Sequence, residues 1–377
     1  MQQVALFRHN LFKVSEPFIT EQAEHLRRYR PLYVGRLRYG APPPGAESLA
    51  LEDLVKGWPI PFVARQMLTM NPAPYQRLLA GRHPALIHAH FGVEGVYALP
   101  LAARLGVPLI TTFHGFDATL STAALLGSPA YVHYALGRSR LAQRGDLFLC
   151  ASGFIRERLL AMGFPPERTR VHYIGVDCGA VQQRDAAEEA LEILHVARLV
   201  AVKGTEYLIR AFAEVAGQHP TARLVIIGDG PLRRKLERLA QSCGVAGRVE
   251  FLGAMAHAQV LERMRCASML VLPSVRTASG RVEGLGMVTL EAAATGVPVI
   301  GSALGGIPEV VADQQTGFLV PERDPQALAA RIQALLDDEA LRRRLGAAAR
   351  QRVERDFDIT RQTAALEDLY DAVLEGA

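Results

Sequence analysis

The chain has 377 residues, more than one hydrophobic core usually encloses, so its length predicts two domains. Hydrophobic residues make up 49% and charged residues 21% of the sequence, which is typical of a folded enzyme and argues against long disordered stretches. Residues 1–178 hold 19 lysines and arginines against 12 acidic residues. This basic half is expected either to be a solvated surface or to face anionic partners, such as a phosphate-bearing substrate or an acidic lipid leaflet. No interleaved aromatic motif supports nucleic acid as a partner.

The cysteines and the N-terminal sequence indicate the cellular compartment in which the protein is expected to work. Cys150, Cys178, Cys243 and Cys266 form no CxxC pair and no Cys/His cluster, so we expect a reducing environment and no structural metal. MQQVALFRHN lacks the features of a signal peptide, and no run of about 18 uncharged apolar residues occurs. We therefore expect a cytoplasmic protein, either free or peripheral at the inner face of the cell membrane.

Short β-prone runs alternate with helix-period segments through the first half. The β-prone runs are VALF, LYVG, ALIHAH, PLITTF, DLFLC and RVHYI, and the clearest helical segments are GVYALPLAARLG and SGFIRERLLAMG. APPPGAES, residues 41–48, is expected to be a loop. This βα alternation predicts a parallel sheet covered by helices over residues 2–174.

A second βα series runs from EILHVAR to GFLV, and a helical pattern follows from Pro325 onward. We therefore predict an α/β protein with two Rossmann-like domains, residues 1–178 and 179–356, and a last helix over residues 357–377 that could cross back to the first domain. A hinge is expected at residues 175–191, where polar residues accumulate. Ligands of such sheets bind beyond the carboxyl ends of the strands, so the cleft between the domains is the expected active site.

Two cations follow the first strand of the second series. Arg198 stands at the strand end, and Lys203 comes just before Gly204, which opens the next helix. Cationic side chains beside a helix N-terminus suit a diphosphate, although taken alone they could be surface residues. IIGDGP, residues 226–231, lacks the GxGxxG pattern and predicts only a chain reversal.

EGLGMVTLE, residues 283–291, places two glutamates around a helix start. Gly284 and Gly286 would let phosphate oxygens approach the N–H groups of the first helical turn. Glu291 would reach two adjacent ribose hydroxyls, and Glu283 would lie near the group attached to the phosphates. The spacing therefore suits a nucleoside diphosphate with a sugar at its far end, and the alternative is a pair of ordinary surface glutamates.

These motifs resemble those of a known family. EGLGMVTLE matches the E-x7-E pattern of retaining GT-B glycosyltransferases of family 4, and ARLVAVKG, IIGDGP, VEFLG and GVPVIGSALGGIPEVVADQQTGFLV occur in the order which that family shows. In the first half, HAHFG, TTFHGFD, RGDLFLCASGFIRERLLAMGFP and VHYIGVD resemble its bacterial exopolysaccharide branch, which includes colanic acid transferases. The resemblance implies a GT-B fold with an N-terminal acceptor-binding domain and a C-terminal donor-binding domain.

The resemblance also implies roles for residues of the second half. Arg198 and Lys203 would hold the donor diphosphate. Glu283 would bind hydroxyls of the donor sugar or stabilise its cationic transition state, and Glu291 would hold the ribose. The segment Gly284, Leu285, Gly286, Met287 and Val288 would bind the donor, with backbone N–H groups offered by its last three residues.

Roles in the first half are implied in the same way. His114 would contact the transferring sugar, and Asp117 would support its loop or contact the acceptor. The family commonly carries a glycine pair near the N-terminus, whereas this chain has Lys13 and Ser15 there. Contacts of these two residues with acceptor or phosphate are therefore a hypothesis. For His90, acceptor binding and simple packing are equally open.

The implied reaction is transfer of a sugar, with retention, from a nucleoside diphosphate sugar to an acceptor hydroxyl, without metal or other cofactor. The expected acceptor is a lipid-linked saccharide of exopolysaccharide or cell-surface glycan synthesis, and a soluble small molecule is the alternative. A non-hydrolysing sugar-nucleotide 2-epimerase and a non-catalytic binding protein also remain open.

Overall fold

The computed structural model describes residues 1–13, 15–184 and 191–376. The chain divides into two compact units. The first contains Met1–Gly175 together with the residues from Ile359 onward, and the second contains Val176–Asp358. The expected hinge at 175–191 lies partly outside the described residues, because these omit 185–190.

The first unit is built on parallel strands. Its strands are β1 (Gln2–Phe7), β2 (Asn10–Leu11), β3 (Tyr29–Gly35), β4 (Leu37–Arg38), β5 (Glu47–Ala50), β6 (Leu86–His90), β7 (Leu109–Phe113), β8 (Leu147–Cys150) and β9 (Thr169–Val171). Among the described residues, seven of them form one parallel sheet in the order β5-β3-β1-β6-β7-β8-β9, and β2 pairs with β4. The loop expected at 41–48 is shorter than predicted, because Glu47 and Ser48 pair with β3 as part of the edge strand β5.

The second unit repeats this architecture. Its strands are β10 (Glu192–Val196), β11 (Arg223–Ile227), β12 (Val249–Gly253), β13 (Met269–Leu272), β14 (Val299–Ser302) and β15 (Gly317–Val320). Within the described ranges they form one parallel sheet in the order β12-β11-β10-β13-β14-β15. Most strand residues of both sheets are buried, as expected for parallel strands covered on both faces, so their sequences are nearly continuous apolar runs.

Helices connect the strands. Those of the first unit are α1 (Pro17–Glu24), α2 (Ile60–Thr69), α3 (Ala73–Leu78), α4 (Gly92–Leu105), α5 (Phe116–Thr119), α6 (Thr122–Leu126), α7 (Val132–Arg144) and α8 (Gly153–Ala161). Those of the second unit are α9 (Thr205–Val215), α10 (Arg233–Ser242), α11 (His257–Cys266), α12 (Met287–Thr295), α13 (Ile307–Val310), α14 (Pro325–Asp337) and α15 (Glu339–Asp356). In the described part of the chain, no helix combines the length and hydropathy needed to cross a membrane.

The last helix, α16 (Ile359–Glu375), belongs to the first unit. Its buried Glu367 accepts backbone N–H bonds from Arg27, Arg28 and Tyr29 at 2.8, 2.6 and 3.2 Å. Tyr370 Oη lies 2.6 Å from Nδ1 of His88, which is buried in β6. These hydrogen bonds attach α16 to the start of β3 and to the centre of the first sheet.

Each sheet reverses its strand order at one point. In the second unit the reversal lies between β10 and β13, which are hydrogen-bonded neighbours, and in the first unit it lies between β1 and β6. Chain connections diverge from such a point and leave a crevice at the carboxyl ends of the two strands. The residues that follow β10 and β13 are therefore placed to contact a ligand, as are those that follow β1 and β6.

Candidate active site

Lys203 and Glu283 meet at the reversal point of the second sheet. Lys203 ends the 3₁₀ turn Ala201–Lys203 after β10, and Glu283 lies in the loop after β13. Lys203 Nζ is 2.6 Å from Glu283 Oε2, and Ser274 Oγ donates to the same oxygen at 3.3 Å. The Lys203 and Glu283 side chains are 21% and 15% exposed. The structure thus brings together two of the predicted donor-site residues as a partly desolvated ion pair.

Gly204 lets the Lys203 turn and the loop after β13, which carries Glu283, approach each other. It has a φ of 64°, and a Cβ atom at this position would lie 1.8 Å from the carbonyl oxygen of Pro273. Val275 N also donates to Val202 O at 2.8 Å. Because only glycine tolerates this approach at such a φ, Gly204 fixes the distance between the Lys203 turn and the Glu283 loop.

A buried histidine that the sequence analysis missed supports the same turn. His195 Nδ1 lies 2.8 Å from the carbonyl oxygen of Val271, so Nδ1 donates and Nε2 accepts from Thr205 Oγ1 at 3.0 Å. Burial lowers the pKa of His195 to about 4, which keeps the ring neutral. The ring therefore links β10, β13 and the first residue of α9. A histidine inside the apolar run EILHVAR was the available signal.

The N-terminus of α12 opens at Gly286. This residue has a φ of 85°, and its carbonyl oxygen accepts bonds from Thr289 N at 2.8 Å and Thr289 Oγ1 at 2.7 Å. The first-turn N–H groups, which include those of Met287 and Val288, have no partner within an α-helix and can receive an anion. Leu285 is buried, so its side chain anchors the segment and only its backbone is available to a ligand.

Two glycines after β14 hold the Glu283 loop. A Cβ atom on Gly305 would lie 2.2 Å from the carbonyl oxygen of Glu283, and one on Gly306 would lie 2.0 Å from that of Gly284. Gly306 N also donates to Glu283 O at 3.3 Å. These glycines belong to the ALGGIPE stretch, which is part of the motif that resembles the family and whose sequence alone indicated no role. The structure shows that it positions the backbone of Glu283 and Gly284.

Glu291 has a partner that the sequence analysis did not anticipate. Its Oε1 atom lies 3.2 Å from Nε2 of His257, the first residue of α11, and its side chain is 15% exposed. The position of His257, just after the VEFLG strand, was the available signal. Arg198 is exposed, and its side chain makes no hydrogen bond or ion pair with any residue that the structure describes.

In the first unit, His90 and His114 share a hydrogen bond. His90 Nδ1 lies 3.2 Å from His114 Nε2, and the two rings stack with centroids 5.4 Å apart. Burial lowers the pKa of His114 to about 3 and that of His90 well below its ordinary value, so both rings are neutral. His114 Nδ1 is buried and has no hydrogen-bond partner among the described residues. His90 therefore orients His114 as well as packing in the sheet.

Asp117 holds the loop that carries His114. Its carboxylate accepts from Gly92 N at 2.8 Å and Gly115 N at 2.9 Å, and Tyr134 Oη donates to its carbonyl oxygen at 2.6 Å. Asp117 is 1% exposed, and burial raises its pKa to about 6. Both carboxylate oxygens accept backbone N–H bonds, one from the His114 loop and one from the first residue of α4, which favours the predicted supporting role over an acceptor contact.

The N-terminal loop carries a charge cluster that the sequence analysis also missed. Arg8 forms two bonds to Glu16, at 2.8 and 2.9 Å, a further bond to Glu94, and lies 4.4 Å from the ring centroid of Phe91. Burial alone would raise the pKa of Glu94, but Arg8 and His9 outweigh it and lower the pKa to about 2. An arginine directly after the strand VALF was the available signal.

Lys13 and Ser15 lie beside this cluster. Lys13 Nζ is 4.0 Å from Glu16 Oε1 and 5.9 Å from the ring centroid of Tyr39, and Ser15 is exposed in a turn. Arg8, Lys13 and Glu16 line a cavity of about 240 Å³. Within the described ranges, no group of three or more His, Cys, Asp or Glu side chains is arranged to hold a metal ion.

Two doubly wound units, one with an ion pair and an open helix N-terminus at its reversal point, define the GT-B class of glycosyltransferase folds. Sucrose-phosphate synthase from Thermosynechococcus elongatus matches the chain with a TM-score of 0.81 at 22% identity, covering 100% of both chains. HepE from Anabaena, solved in complex with UDP-glucose, matches with a TM-score of 0.76 at 18% identity, covering 99% of this chain and 100% of HepE. The predicted fold class is confirmed.

Sequence comparison then gives the family. The family profile for "Glycosyl transferases group 1" matches residues 180–352, and that for "Glycosyltransferase Family 4" matches residues 16–179. WcaL of Salmonella typhimurium, a glycosyltransferase assigned to colanic acid biosynthesis, is 36% identical over 288 residues, which are 74% of this chain and 69% of WcaL. The chain therefore belongs to the family 4 glycosyltransferases, as the motifs had indicated.

Proposed function

We propose that the protein is a retaining glycosyltransferase that moves a sugar from a nucleoside diphosphate sugar to an acceptor hydroxyl. The observation that carries this proposal is the Lys203–Glu283 pair, 2.6 Å apart, at the reversal point of the second sheet beside the N-terminus of α12. One site thus offers a cation and helix N–H groups for phosphate, and a carboxylate for the sugar.

In this proposal the chemistry is stabilisation of the leaving group. Arg198, Lys203 and the first-turn N–H groups of α12 take up the negative charge that grows on the diphosphate as the sugar departs. Glu283 faces the donor sugar and stabilises its positive charge, and Glu291 binds the ribose. Because these fixed positive groups already face the diphosphate, we propose that transfer needs no divalent metal.

The first unit would receive the acceptor. His114, oriented by His90 and by the loop that Asp117 holds, would contact the transferring sugar. The likeness to WcaL supports an acceptor from exopolysaccharide synthesis, and we propose a lipid-linked saccharide used at the cytoplasmic face of the membrane. The structure of HepE with UDP-glucose supports a nucleoside diphosphate sugar as donor. Lys13 and Ser15 remain candidates for acceptor or phosphate contacts.

The test is a panel of nucleoside diphosphate sugars incubated with purified protein, with and without bacterial lipid extract or soluble saccharides. Released nucleoside diphosphate and altered sugar nucleotide are both measured, and the anomeric configuration of any product is determined by NMR. We expect release that rises with lipid extract, a retained configuration, and no loss of activity with EDTA. Conversion of the donor without release would instead indicate a sugar-nucleotide 2-epimerase, and release with soluble saccharides alone would indicate a soluble acceptor.

A further inference from the structure

An exposed apolar surface lies on α2 and the segment before it, and we call it the α2 patch. Its apolar members Leu54, Trp58, Ile60 and Leu68 are 38, 75, 42 and 77% exposed. Ile60, Ala64 and Leu68 are spaced four residues apart on one face of the helix, a stripe about 12 Å long. Trp58 stands two residues before the helix, so the stripe continues into the preceding loop.

The fold holds this surface outward. On the opposite face of α2, Val63 and Gln66 are buried, and Gln66 Oε1 accepts from Arg36 Nε at 3.0 Å. Tyr97 Oη donates to the carbonyl oxygen of Met67 at 3.1 Å. Because one face of the helix is fixed in the core by these contacts, the exposed positions of the other face are set by the fold.

The charges of the patch are basic. Lys56 and Arg65 are exposed, and neither side chain makes an ion pair or a hydrogen bond with another described residue. The acidic neighbours Glu52 and Asp53 are both paired with Arg38, at 3.1 and 2.7 Å. The patch therefore presents two unpaired cations among aromatic and aliphatic side chains.

We propose that the α2 patch docks the protein on an anionic lipid bilayer, with Trp58, Ile60 and Leu68 entering the headgroup boundary and Lys56 and Arg65 meeting lipid phosphates. A tryptophan beside aliphatic and basic residues is the composition that membrane interfaces select, whereas the core of a protein interface is depleted of lysine. This assignment specifies the membrane contact of the proposed function, but it rests on residues outside the donor site.

The segment at residues 13–30 does not offer such an apolar surface. No large apolar side chain described in that range is exposed. Ile19 and Tyr29, for example, are buried. The apolar surface needed for interfacial binding therefore lies on α2 and not on α1.

Trp58 is the only tryptophan of the chain, so its fluorescence reports directly on the patch. The full-length protein would be mixed with vesicles of phosphatidylglycerol and phosphatidylethanolamine, and separately with vesicles of phosphatidylcholine alone. We expect co-sedimentation with the anionic vesicles, a blue shift of the Trp58 emission, quenching by brominated lipid, and weakening by salt. Absence of co-sedimentation, or co-sedimentation with unchanged Trp58 emission, would overturn the proposal.

Variants separate the apolar and the electrostatic contributions. Ile60→Ser with Leu68→Ser retains Trp58 and should lower the partition coefficient at least about tenfold, and each of Lys56→Gln and Arg65→Gln should lower it about fivefold at low salt. Leu136→Ser, at a 71% exposed leucine of α7, is the control and should leave partitioning unchanged. An equal loss in the control would contradict the assignment.

Two further readouts separate this inference from the proposed function. Donor cleavage by the patch variants without lipid should equal that of the unaltered protein, so a failure of docking does not depend on whether the donor chemistry is correct. Gel filtration should show the same size for the unaltered protein and for Ile60→Ser with Leu68→Ser. A larger species that the substitutions dissociate would identify a second copy of the chain as the occupant and would overturn the proposal.

Discussion

At the scale of single residues, the contact between Lys203 and Glu283 means that the Glu283 carboxylate and a donor diphosphate compete for the same ammonium group. A diphosphate that binds Lys203 offers it a second anion, and the partly desolvated site strengthens whichever pairing forms. If the diphosphate takes the ammonium group, the Glu283 carboxylate becomes available to the donor sugar. Donor binding and release of the carboxylate would then be one event.

This coupling predicts opposite effects of Glu283→Gln on turnover and on binding. We expect turnover to fall by at least about 100-fold, because the carboxylate no longer stabilises the positively charged sugar. Affinity for the nucleoside diphosphate should be retained or increased, because Lys203 loses its anionic partner. Steady-state assays and calorimetry measure the two effects. Glu262→Gln, at a 64% exposed glutamate of α11, is the control, and weakened binding with normal turnover would contradict the assignment.

Lys203→Met should act on the phosphates alone. We expect affinity for the nucleoside diphosphate to fall about 10- to 100-fold, because one charge-assisted contact is removed from a partly buried site. Affinity for the corresponding nucleoside without phosphates should not change. Calorimetry with both ligands makes the comparison. Equal losses for the two ligands would show that Lys203 maintains the shape of the pocket and does not bind the diphosphate.

At the scale of elements, the sequence predicted the strands and helices whose residues show a clear local pattern. The strands of both sheets were recognisable because parallel strands buried on both faces require continuous apolar runs. The short helices α5 and α13 have four residues each, too few to show a helical period, and they form where tertiary contacts hold them. Asp117 illustrates this, since it bonds to Gly92, 25 residues earlier in the chain.

The candidate site divides in the same way. The positions of Glu283, Glu291 and the glycines between them around the start of α12 could be predicted, because they depend on spacing along one segment, whereas their roles stay predictions. The partners found in the structure could not, because Lys203 and Glu283 are 80 residues apart, and Arg8 and Glu94 are 86 apart. Such pairs depend on how the strands are ordered in the sheet, which no local pattern shows.

The loop after β14 is predicted to be as intolerant of substitution as the Glu283 loop that it contacts. In Gly306→Ala the added Cβ would lie 2.0 Å from the carbonyl oxygen of Gly284, so one of the two loops must move. We expect stability to fall by about 1–3 kcal/mol and donor binding to weaken at temperatures where the protein remains folded. Thermal unfolding and calorimetry measure these effects. Gly217→Ala, where nothing lies within 4 Å of the added atom, is the control, and equal effects of both would contradict the assignment.

At the scale of the whole molecule, buried histidines are unequally divided between the two units. Burial lowers the pKa of five histidines of the first unit, which are His9, His88, His90, His114 and His172. In the second unit it lowers the pKa of His195, to about 4. A histidine whose pKa is lower in the folded state than in the unfolded state contributes stability above its ordinary pKa, and this is lost as pH falls towards the folded value.

We therefore expect acid to destabilise the first unit before the second. Between pH 7.5 and pH 5, His9 and His114, whose pKa values burial lowers to about 4 and about 3, should each remove about 2 kcal/mol from the free energy of unfolding. The lowered pKa values of His88, His90 and His172 act in the same direction. Asp117 opposes this, because its raised pKa gives a contribution that is fully present below its ordinary pKa and lost as pH rises through about 6, but it is one group against five.

Hydrogen exchange followed by mass spectrometry, corrected for intrinsic rates, measures the opening of each unit at the two pH values. The peptides of β6 and β7 should lose more protection at pH 5 than those of β10 and β13. Equal losses in the two units would contradict this prediction.

The position of α16 has a consequence for the order in which the protein forms during synthesis. The first unit includes residues that the ribosome adds only after residue 358, and before then the backbone N–H groups of residues 27–29 have no Glu367 to bind and His88 has no Tyr370. All of Val176–Asp358 has been translated by that time. Although domains usually fold from the N-terminus onward, here the unit that begins first is completed last. A released chain that ends before α16 should contain a folded second unit and an incomplete first one.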